Sequence, residues 1–169
     1  MKKIFPLLLI LPLILSNCKK EDPILFEMVY AEDFVIQAGL NPFDTHYFNI
    51  ENIPVGTYLS ARNLTAGDLN SIEPKASNLV NVFAGSASYD FIRDISVRIY
   101  TDDENNYKEI FYYDNVPENT GDNLGIIPSL EDAKSYLNGE TFNIAVRLNF
   151  RQSPLQNIET QLRFSFSAK

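Results

Sequence analysis

The chain contains one cysteine and one histidine, so few of its residues can do nucleophilic or metal chemistry. Cys18 stands directly after an apolar run and directly before Lys19-Lys20-Glu21-Asp22. A cysteine sulfur is readily alkylated at neutral pH because its thiolate is a good nucleophile. With no second cysteine, an intramolecular disulfide is excluded. Cys18 is therefore the residue whose type and position most favour covalent modification.

His46 is the residue that a catalytic triad or a histidine-rich metal site would have to use. No G-x-S-x-G, H-E-x-x-H or glycine-rich phosphate loop accompanies it. We therefore predict that the protein is not an enzyme and takes no cofactor. A small hydrolase that uses two carboxylates for glycoside hydrolysis is a further alternative. The chain has many acidic residues, but the sequence does not indicate which two would form a catalytic pair.

Two polar segments, 102–106 and 118–123, are rich in the oxygen ligands that Ca²⁺ prefers. Neither has the spacing of an EF-hand loop, and polar hairpin loops have the same composition. The sequence therefore predicts no metal site, with structural calcium as the alternative.

Four tyrosines are candidates for a glycan-binding platform: Tyr100, Tyr107, Tyr112 and Tyr113. If residues 89–101 form a strand, Tyr100 shares a face with Asp94 and Arg98, which could supply hydrogen bonds. Against this reading, the chain has no tryptophan, and tyrosines on a sheet commonly pack across strands.

The amino-terminal segment has the features of a secretory signal peptide. Lys2 and Lys3 precede an apolar run over residues 4–15 that only Pro6 and Pro12 interrupt. A membrane-spanning helix needs about 20 apolar residues, and proline removes helical hydrogen bonds. We predict a signal peptide over residues 1–17 and not a transmembrane anchor.

The sequence Leu15-Ser16-Asn17-Cys18 resembles the lipobox of bacterial lipoproteins, with Asn17 at a position where that family usually has Gly, Ala or Ser. The resemblance implies that Cys18 takes a diacylglycerol and becomes the mature amino terminus. Each buried methylene of an acyl chain contributes about 0.8 kcal/mol, so several chains anchor a protein stably. An ordinary signal peptide is the alternative.

Lys19-Lys20-Glu21-Asp22 is similar to the lysine-and-acid tag of surface-exposed lipoproteins of the Bacteroidota type. The similarity implies a lipid-anchored protein of the bacterial outer membrane that faces the cell surface. Residues 18–23 are expected to form the lipidated tether of the domain. The alternative is that the charges of the tether only keep it extended, and the periplasmic face of the outer membrane is the alternative location.

Composition argues against two classes of partner. Removal of residues 1–17 takes away Lys2 and Lys3, which leaves 12 basic residues against 22 acidic ones and a formal charge of −10. Such a chain repels nucleic acid and anionic lipid headgroups, so lipid on Cys18 is the expected membrane contact. The remaining length suits a single domain over residues 24–169.

Alternating apolar residues predict strands through most of this domain. In residues 141–151 one face carries Phe142, Ile144, Val146, Leu148 and Phe150. In residues 158–167 Ile158, Leu162, Phe164 and Phe166 share a face, and the two segments are expected to form a hairpin. Residues 89–101 alternate as well, although Arg93 interrupts the inner row. Further strands are predicted at residues 24–30, 34–38, 46–53 and 107–114.

Helix signals are few. Ser129 followed by Glu131 and Asp132, with Asn138-Gly139 after them, predicts a capped helix over residues 130–137. Thr65 to Asp68 predicts one further turn before Pro74. Many short strands with few helices favour an all-β fold, an antiparallel β-sandwich of Ig-like or jelly-roll-like architecture with one or two short helices.

Taken together, these features predict a membrane-anchored surface lipoprotein with a non-catalytic binding or scaffolding domain. A carbohydrate-binding accessory lipoprotein that captures glycans is the alternative. The candidate partners are the membrane through lipid on Cys18, a glycan, or another protein of the cell envelope.

Overall fold

A computed structural model describes residues 23–102 and 106–169. The predicted signal peptide, Cys18, Lys19 to Asp22 and part of the acidic segment 102–106 lie outside the described residues. The described chain is all-β and antiparallel, which confirms the predicted class.

Eight strands, one short α-helix and one 3₁₀ helix make up the described secondary structure. Their bounds are β1 Phe26–Ile36, β2 Thr45–Pro54, α1 Thr57–Ser60, the 3₁₀ helix Ala66–Asp68, β3 Ile72–Asn81, β4 Ile92–Tyr100, β5 Lys108–Tyr113, β6 Asn123–Pro128, β7 Thr141–Phe150 and β8 Ile158–Ala168. The 3₁₀ helix confirms the turn predicted from Thr65, whose hydroxyl and N–H both pair with the Asp68 carboxylate.

The strands form one curved antiparallel sheet in the order β1-β8-β3-β6-β5-β4-β7-β2. We call β1, β8, β3 and β6 the first half and β5, β4, β7 and β2 the second half. Two paired positions, Phe111 with Pro128 and Tyr112 with Ile127, join the halves. The edge strands β1 and β2 approach each other through the rings of Phe34 and Phe48, whose centroids are 5.1 Å apart.

The core fills the space between the two halves. The five alternating apolar residues of β7 are all buried, as are the four predicted on β8. Tyr30 of β1 lies across the core from Phe142 of β7, with ring centroids 5.2 Å apart and nearly perpendicular. Burial of each large apolar side chain contributes roughly 1.5–3 kcal/mol, so this core is the main source of stability.

A β-bulge removes Arg93 from the inward-facing row of β4. The pairing of β4 with β7 shifts register between Ile92 and Asp94. The extra residue turns the Arg93 side chain to solvent, while Ile92 is fully buried and Ile95 returns to the core.

The predicted hairpin of residues 141–151 and 158–167 is wrong. β7 pairs with β4 and β2, whereas β8 pairs with β1 and β3. Both are interior strands of different halves, and the connection over residues 151–157 crosses from one half to the other. A connection of this length does not fix pairing between its flanking strands as a two-residue turn does.

The predicted helix over residues 130–137 is also wrong, because tertiary hydrogen bonds compete with helical ones. The Asp132 carboxylate accepts from the backbone N–H groups of Ile72 (3.0 Å) and Lys134 (2.9 Å), and Ala133 N–H donates to the Ile72 carbonyl (2.8 Å). The segment forms turns against β3 instead. The two strands predicted at 24–30 and 34–38 are one continuous strand, β1.

Candidate ligand-binding site

A row of side chains crosses the outer face of the second half and reaches β6. Directly paired residues on neighbouring strands project to the same face. The row consists of Tyr47, Arg147, Ser96, Tyr112 and Ile127, one from each of β2, β7, β4, β5 and β6. The next residues along β7 and β4, Val146 and Val97, point into the core, so this row faces outward.

A polar groove of about 360 Å³ opens beside this row. It is lined by Asp94, Ile95, Ser96, Glu109, Asp114, Asn115, Arg147 and Asn149. The volume falls within the range of roughly 300–1,000 Å³ for small-ligand sites. Most of these side chains are hydrogen-bonding groups, so the groove suits a polar ligand.

Asp94 is held in its ionised form at the base of the groove. Its carboxylate accepts hydrogen bonds from Arg93 Nε (2.9 Å) and from the Asn115 N–H (3.1 Å). Burial alone would raise the pKa of Asp94, but these bonds and the Arg93 charge outweigh it, and the pKa lies below its ordinary value. Asp94 is therefore a charged acceptor at neutral pH.

The neighbouring polar side chains are fixed before any ligand arrives. The Ser96 hydroxyl donates to the Glu109 carboxylate. Thr45 donates to the side-chain oxygen of Asn149 (2.8 Å), whose amide nitrogen lies 3.5 Å from Asp94. Such preorganisation lowers the entropy cost of binding.

Arg147 is the basic side chain of the groove lining. In residues 23–102 and 106–169 its half-buried guanidinium forms no hydrogen bond or ion pair with another side chain or carbonyl. A guanidinium offers five N–H donors in a fixed fork. Beside it, Tyr47 is 55 % exposed and presents its ring on the same face.

The structure separates the four tyrosines that the sequence singled out. Tyr100 is 5 % exposed, and Tyr113 packs on the inner face against the core. Tyr107 is exposed, with the Arg98 guanidinium 4.1 Å from its ring centroid. Tyr112 alone of the four belongs to the outward row, where it pairs with Ser96.

Sequence reasoning missed Tyr47, Ser96 and Arg147 as site residues. The signal was present in β2, where Thr45, Tyr47 and Asn49 alternate with the inward-facing His46, Phe48 and Ile50. The second signal is Arg147 in the outward-facing row of β7. It indicates a binding site only when β4 is known to lie beside β7.

His46 has structural contacts. Its ring stacks on Phe150 with centroids 4.9 Å apart, and Nε2 lies 2.8 Å from the Asn41 carbonyl oxygen. In the polar segment 118–123, the Asp122 carboxylate accepts from the Gly85 N–H (2.9 Å). No cluster of three or more His, Cys, Asp or Glu side chains that could hold a metal ion occurs within the described residues.

No protein-family model, curated protein or solved structure matches this chain. The groove must therefore be interpreted from its own geometry. Within residues 23–102 and 106–169, no helix has the length and apolar composition needed to cross a membrane.

Proposed function

We propose that this chain is a non-enzymatic binding protein of the bacterial cell envelope, anchored by lipid on Cys18, and that it binds its ligand in the polar groove. The proposal rests on the guanidinium of Arg147, which lies unpaired among the described residues in a groove where the side chains of Asp94, Ser96, Glu109 and Asn149 are already hydrogen-bonded. A half-buried charge without a partner is costly unless a ligand or solvent satisfies it.

The position of the anchor is compatible with access to the groove. β1 begins at Phe26, beside the carboxyl-terminal end of β8, and runs to Ile36. Asp94, Asn149 and Thr45 lie towards the end of the sheet where β1 finishes. Six residues of tether span at most about 20 Å, so the domain sits near the membrane with the groove on its far side. Display on the outer surface of the outer membrane follows from the tag-like Lys19 to Asp22.

Glycan capture is the ligand hypothesis that the groove chemistry favours. Sugar hydroxyls both donate and accept, and here the Asp94 carboxylate accepts while Arg147 donates. Tyr47 adds an exposed ring at the edge. Asp94, Glu109 and Asp114 outnumber Arg147, so the groove disfavours anionic ligands and suits a neutral sugar.

We also propose that the two halves pack as the layers of a β-sandwich. In support, only two paired positions join β5 to β6. Ring contacts cross the core between the halves, such as Phe111 with Phe164, whose centroids are 6.4 Å apart.

A glycan array probed with the purified full-length protein tests the binding proposal. We expect one class of neutral glycans to bind, with at least about tenfold weaker binding for Arg147→Ala, the loss expected when a charged hydrogen-bond donor is removed. Arg163→Ala is the matched control, because Arg163 is an exposed strand arginine on β8 of the first half. Equal loss in both variants, or no glycan bound, contradicts the proposal.

The anchor has a separate test. Cys18→Ala should release the protein from the membrane fraction, and mass spectrometry of the wild type should find acyl chains on the Cys18 sulfur and residues 1–17 removed. An unmodified sulfur, or a leader that stays attached, contradicts lipid anchoring and leaves the groove proposal standing.

A further inference from the structure

Four connections meet at the end of the sheet where β1 finishes. They are residues 37–44, 82–91, 114–122 and 151–157, and we call them together the loop end. Each connection starts and finishes at this end of the sheet. Here the last residue of β1, Ile36, pairs with Ile158 of β8, and Ile92 of β4 pairs with Phe150 of β7. Phe26, where β1 begins, lies at the opposite end.

The loop end exposes large apolar side chains. Phe43 is 94 % exposed and Leu155 96 %, while Phe83 and Val82 are 59 % and 48 % exposed. Next to Leu155, a cavity of about 280 Å³ lies between segments 86–88 and 152–156. This volume is just below the range of roughly 300–1,000 Å³ for small-ligand sites, and it suits an anchoring side chain of a protein partner.

Hydrogen bonds between the connections hold this surface in one shape. The Gly39 N–H donates to the Pro154 carbonyl (2.9 Å), and the Gln156 side chain donates to the Ser86 carbonyl (2.7 Å). The Gly85 N–H donates to Asp122 (2.9 Å), which ties in the fourth connection. Exposed apolar side chains that gather on one surface are typical of interaction sites.

The negative charge of the loop end favours a partner with a basic surface. Its four connections contain five carboxylates, Asp44, Asp90, Asp114, Glu118 and Asp122, and one basic residue, Arg151, which gives a formal charge of −4. Arg151 is occupied by the carbonyls of Ile92 and Val116. Like charge disfavours a second copy of this chain and an anionic membrane, whereas a basic surface is complementary.

The chain's own tether cannot cover this surface once residue 18 is the amino terminus. The five residues 18–22 span at most about 18 Å, and the eleven residues of β1 extend about 36 Å away from them. The exclusion of the tether rests on the proposed cleavage and anchoring at Cys18. The exposed side chains of the loop end and the hydrogen bonds between its connections do not depend on that proposal.

We propose that the loop end docks another protein of the cell envelope through a contact surface that is basic and carries apolar side chains. Phe43, Phe83 and Leu155 supply the apolar contacts, and the cavity beside Leu155 takes an apolar side chain of the partner. The surrounding carboxylates, among them the exposed Asp44 and Glu118, pair with its lysines and arginines.

Photo-crosslinking of the full chain in the cells that produce it tests whether the loop end docks another protein. A photoreactive residue replaces Phe43, Phe83 or Leu155 in turn, and Leu130, fully exposed at the opposite end, is the control position. All four side chains are mostly exposed, so the fold should tolerate the replacements. We expect adducts with a different protein at the three loop-end positions, at least about fivefold above position 130, in peptides that contain lysine or arginine.

Charge neutralisation gives the second arm. Asp44→Asn with Glu118→Gln should reduce the adduct yield severalfold, whereas Glu51→Gln, at an exposed position of β2, should not. Adducts with copies of this chain, with lipid or with acidic peptides overturn the proposal, as do equal yields at position 130 or no adduct at all. Arg147→Ala should leave the adduct unchanged, which separates failure here from failure of the groove proposal.

Discussion

The Tyr89 hydroxyl donates a hydrogen bond to the Thr160 hydroxyl oxygen at a distance of 3.1 Å, and neither residue is exposed to solvent. Thr160 in turn donates to the Ile158 carbonyl (3.3 Å). The bond links the connection before β4, three residues ahead of Ile92, with the third residue of β8.

This burial predicts a loss of stability at alkaline pH. Burial, assisted by the Asp122 carboxylate, raises the pKa of Tyr89 to about 12 despite the bond from Tyr89 to Thr160. In the unfolded chain the pKa is about 10. The unfolded state therefore loses its proton first, and the stabilisation, complete below pH 10, declines by about 1.4 kcal/mol per pH unit up to pH 12.

Urea unfolding between pH 8 and 12 measures this decline. Tyr89→Phe should cost about 1 kcal/mol at pH 8 through the lost hydrogen bond and should reduce the alkaline slope. Some slope should remain, because burial also raises the pKa of Tyr30. An alkaline slope identical to that of the wild type would contradict the assignment.

Arg151 predicts a second stability effect, located at the loop end. Its guanidinium donates to the carbonyls of Asp90 (3.2 Å), Ile92 and Val116, and it therefore ties three connections together. Arg151→Ala should lower the free energy of unfolding by about 2–3 kcal/mol, since several carbonyls lose their donor. Arg151→Lys should recover only part, because one ammonium group cannot reproduce the planar fork.

The comparison variant for Arg151 is Arg163→Ala. Arg163 is exposed and bonds to the side chain of Gln161, two residues away on the same strand. Its removal should change the free energy of unfolding by less than about 0.5 kcal/mol. Similar losses for the two alanine variants would show that Arg151 does not connect the loops energetically.

The carboxyl terminus supplies a prediction at acid pH. Lys169 Nζ lies 2.6 Å from the Glu73 carboxylate, and this hydrogen bond holds the pKa of Glu73 below its ordinary value. A depressed pKa in the folded state means that the stabilisation is present above pH 4.5 and is lost as the pH falls through the folded-state pKa.

Lys169→Ala should therefore raise the pKa of Glu73 towards its ordinary value, as NMR titration of its carboxyl would show. Because Glu73 is partly exposed, the cost in stability at pH 7 should stay below about 1 kcal/mol. The effect should shrink as the pH falls and the Glu73 carboxylate becomes protonated in both variants. A Glu73 pKa unchanged by the substitution would contradict the pairing.

Period-two alternation predicts strands well here because most strands bury one face. β7 and β8 have the inward rows that the sequence indicates, and the bulge at Arg93 preserves the core despite a charged residue. The sequence analysis predicts no strand at β3, which contains Pro74, a residue unfavourable inside an interior strand. The sheet accommodates it, since β3 shifts register with β8 beside Pro74 and pairs with β6 only from Ser77 to Val80.

The candidate site was harder to predict because it depends on neighbours that are distant in sequence. Tyr47, Arg147 and Ser96 become adjacent only through the pairing of β2, β7 and β4. Local patterns report which face a residue occupies but not which strand lies beside it. The failed hairpin of residues 141–151 with 158–167 has the same cause.

Asp94 gives the groove a pH dependence of its own. Because the pKa of Asp94 lies below its ordinary value, the carboxylate stays charged at mildly acid pH. Affinity for a glycan identified on the array should therefore be constant from pH 8 to pH 5 and should fall only below about pH 4, as the Asp94 acceptor is protonated. Asp94→Asn should bind about tenfold more weakly at pH 7 and should lack the fall that the wild type shows below about pH 4. Asp33→Asn, at an exposed position of β1, should match the wild type when both are measured by isothermal titration calorimetry across the pH range. A wild-type affinity that already declines between pH 8 and pH 5 would show that a group other than Asp94 governs binding.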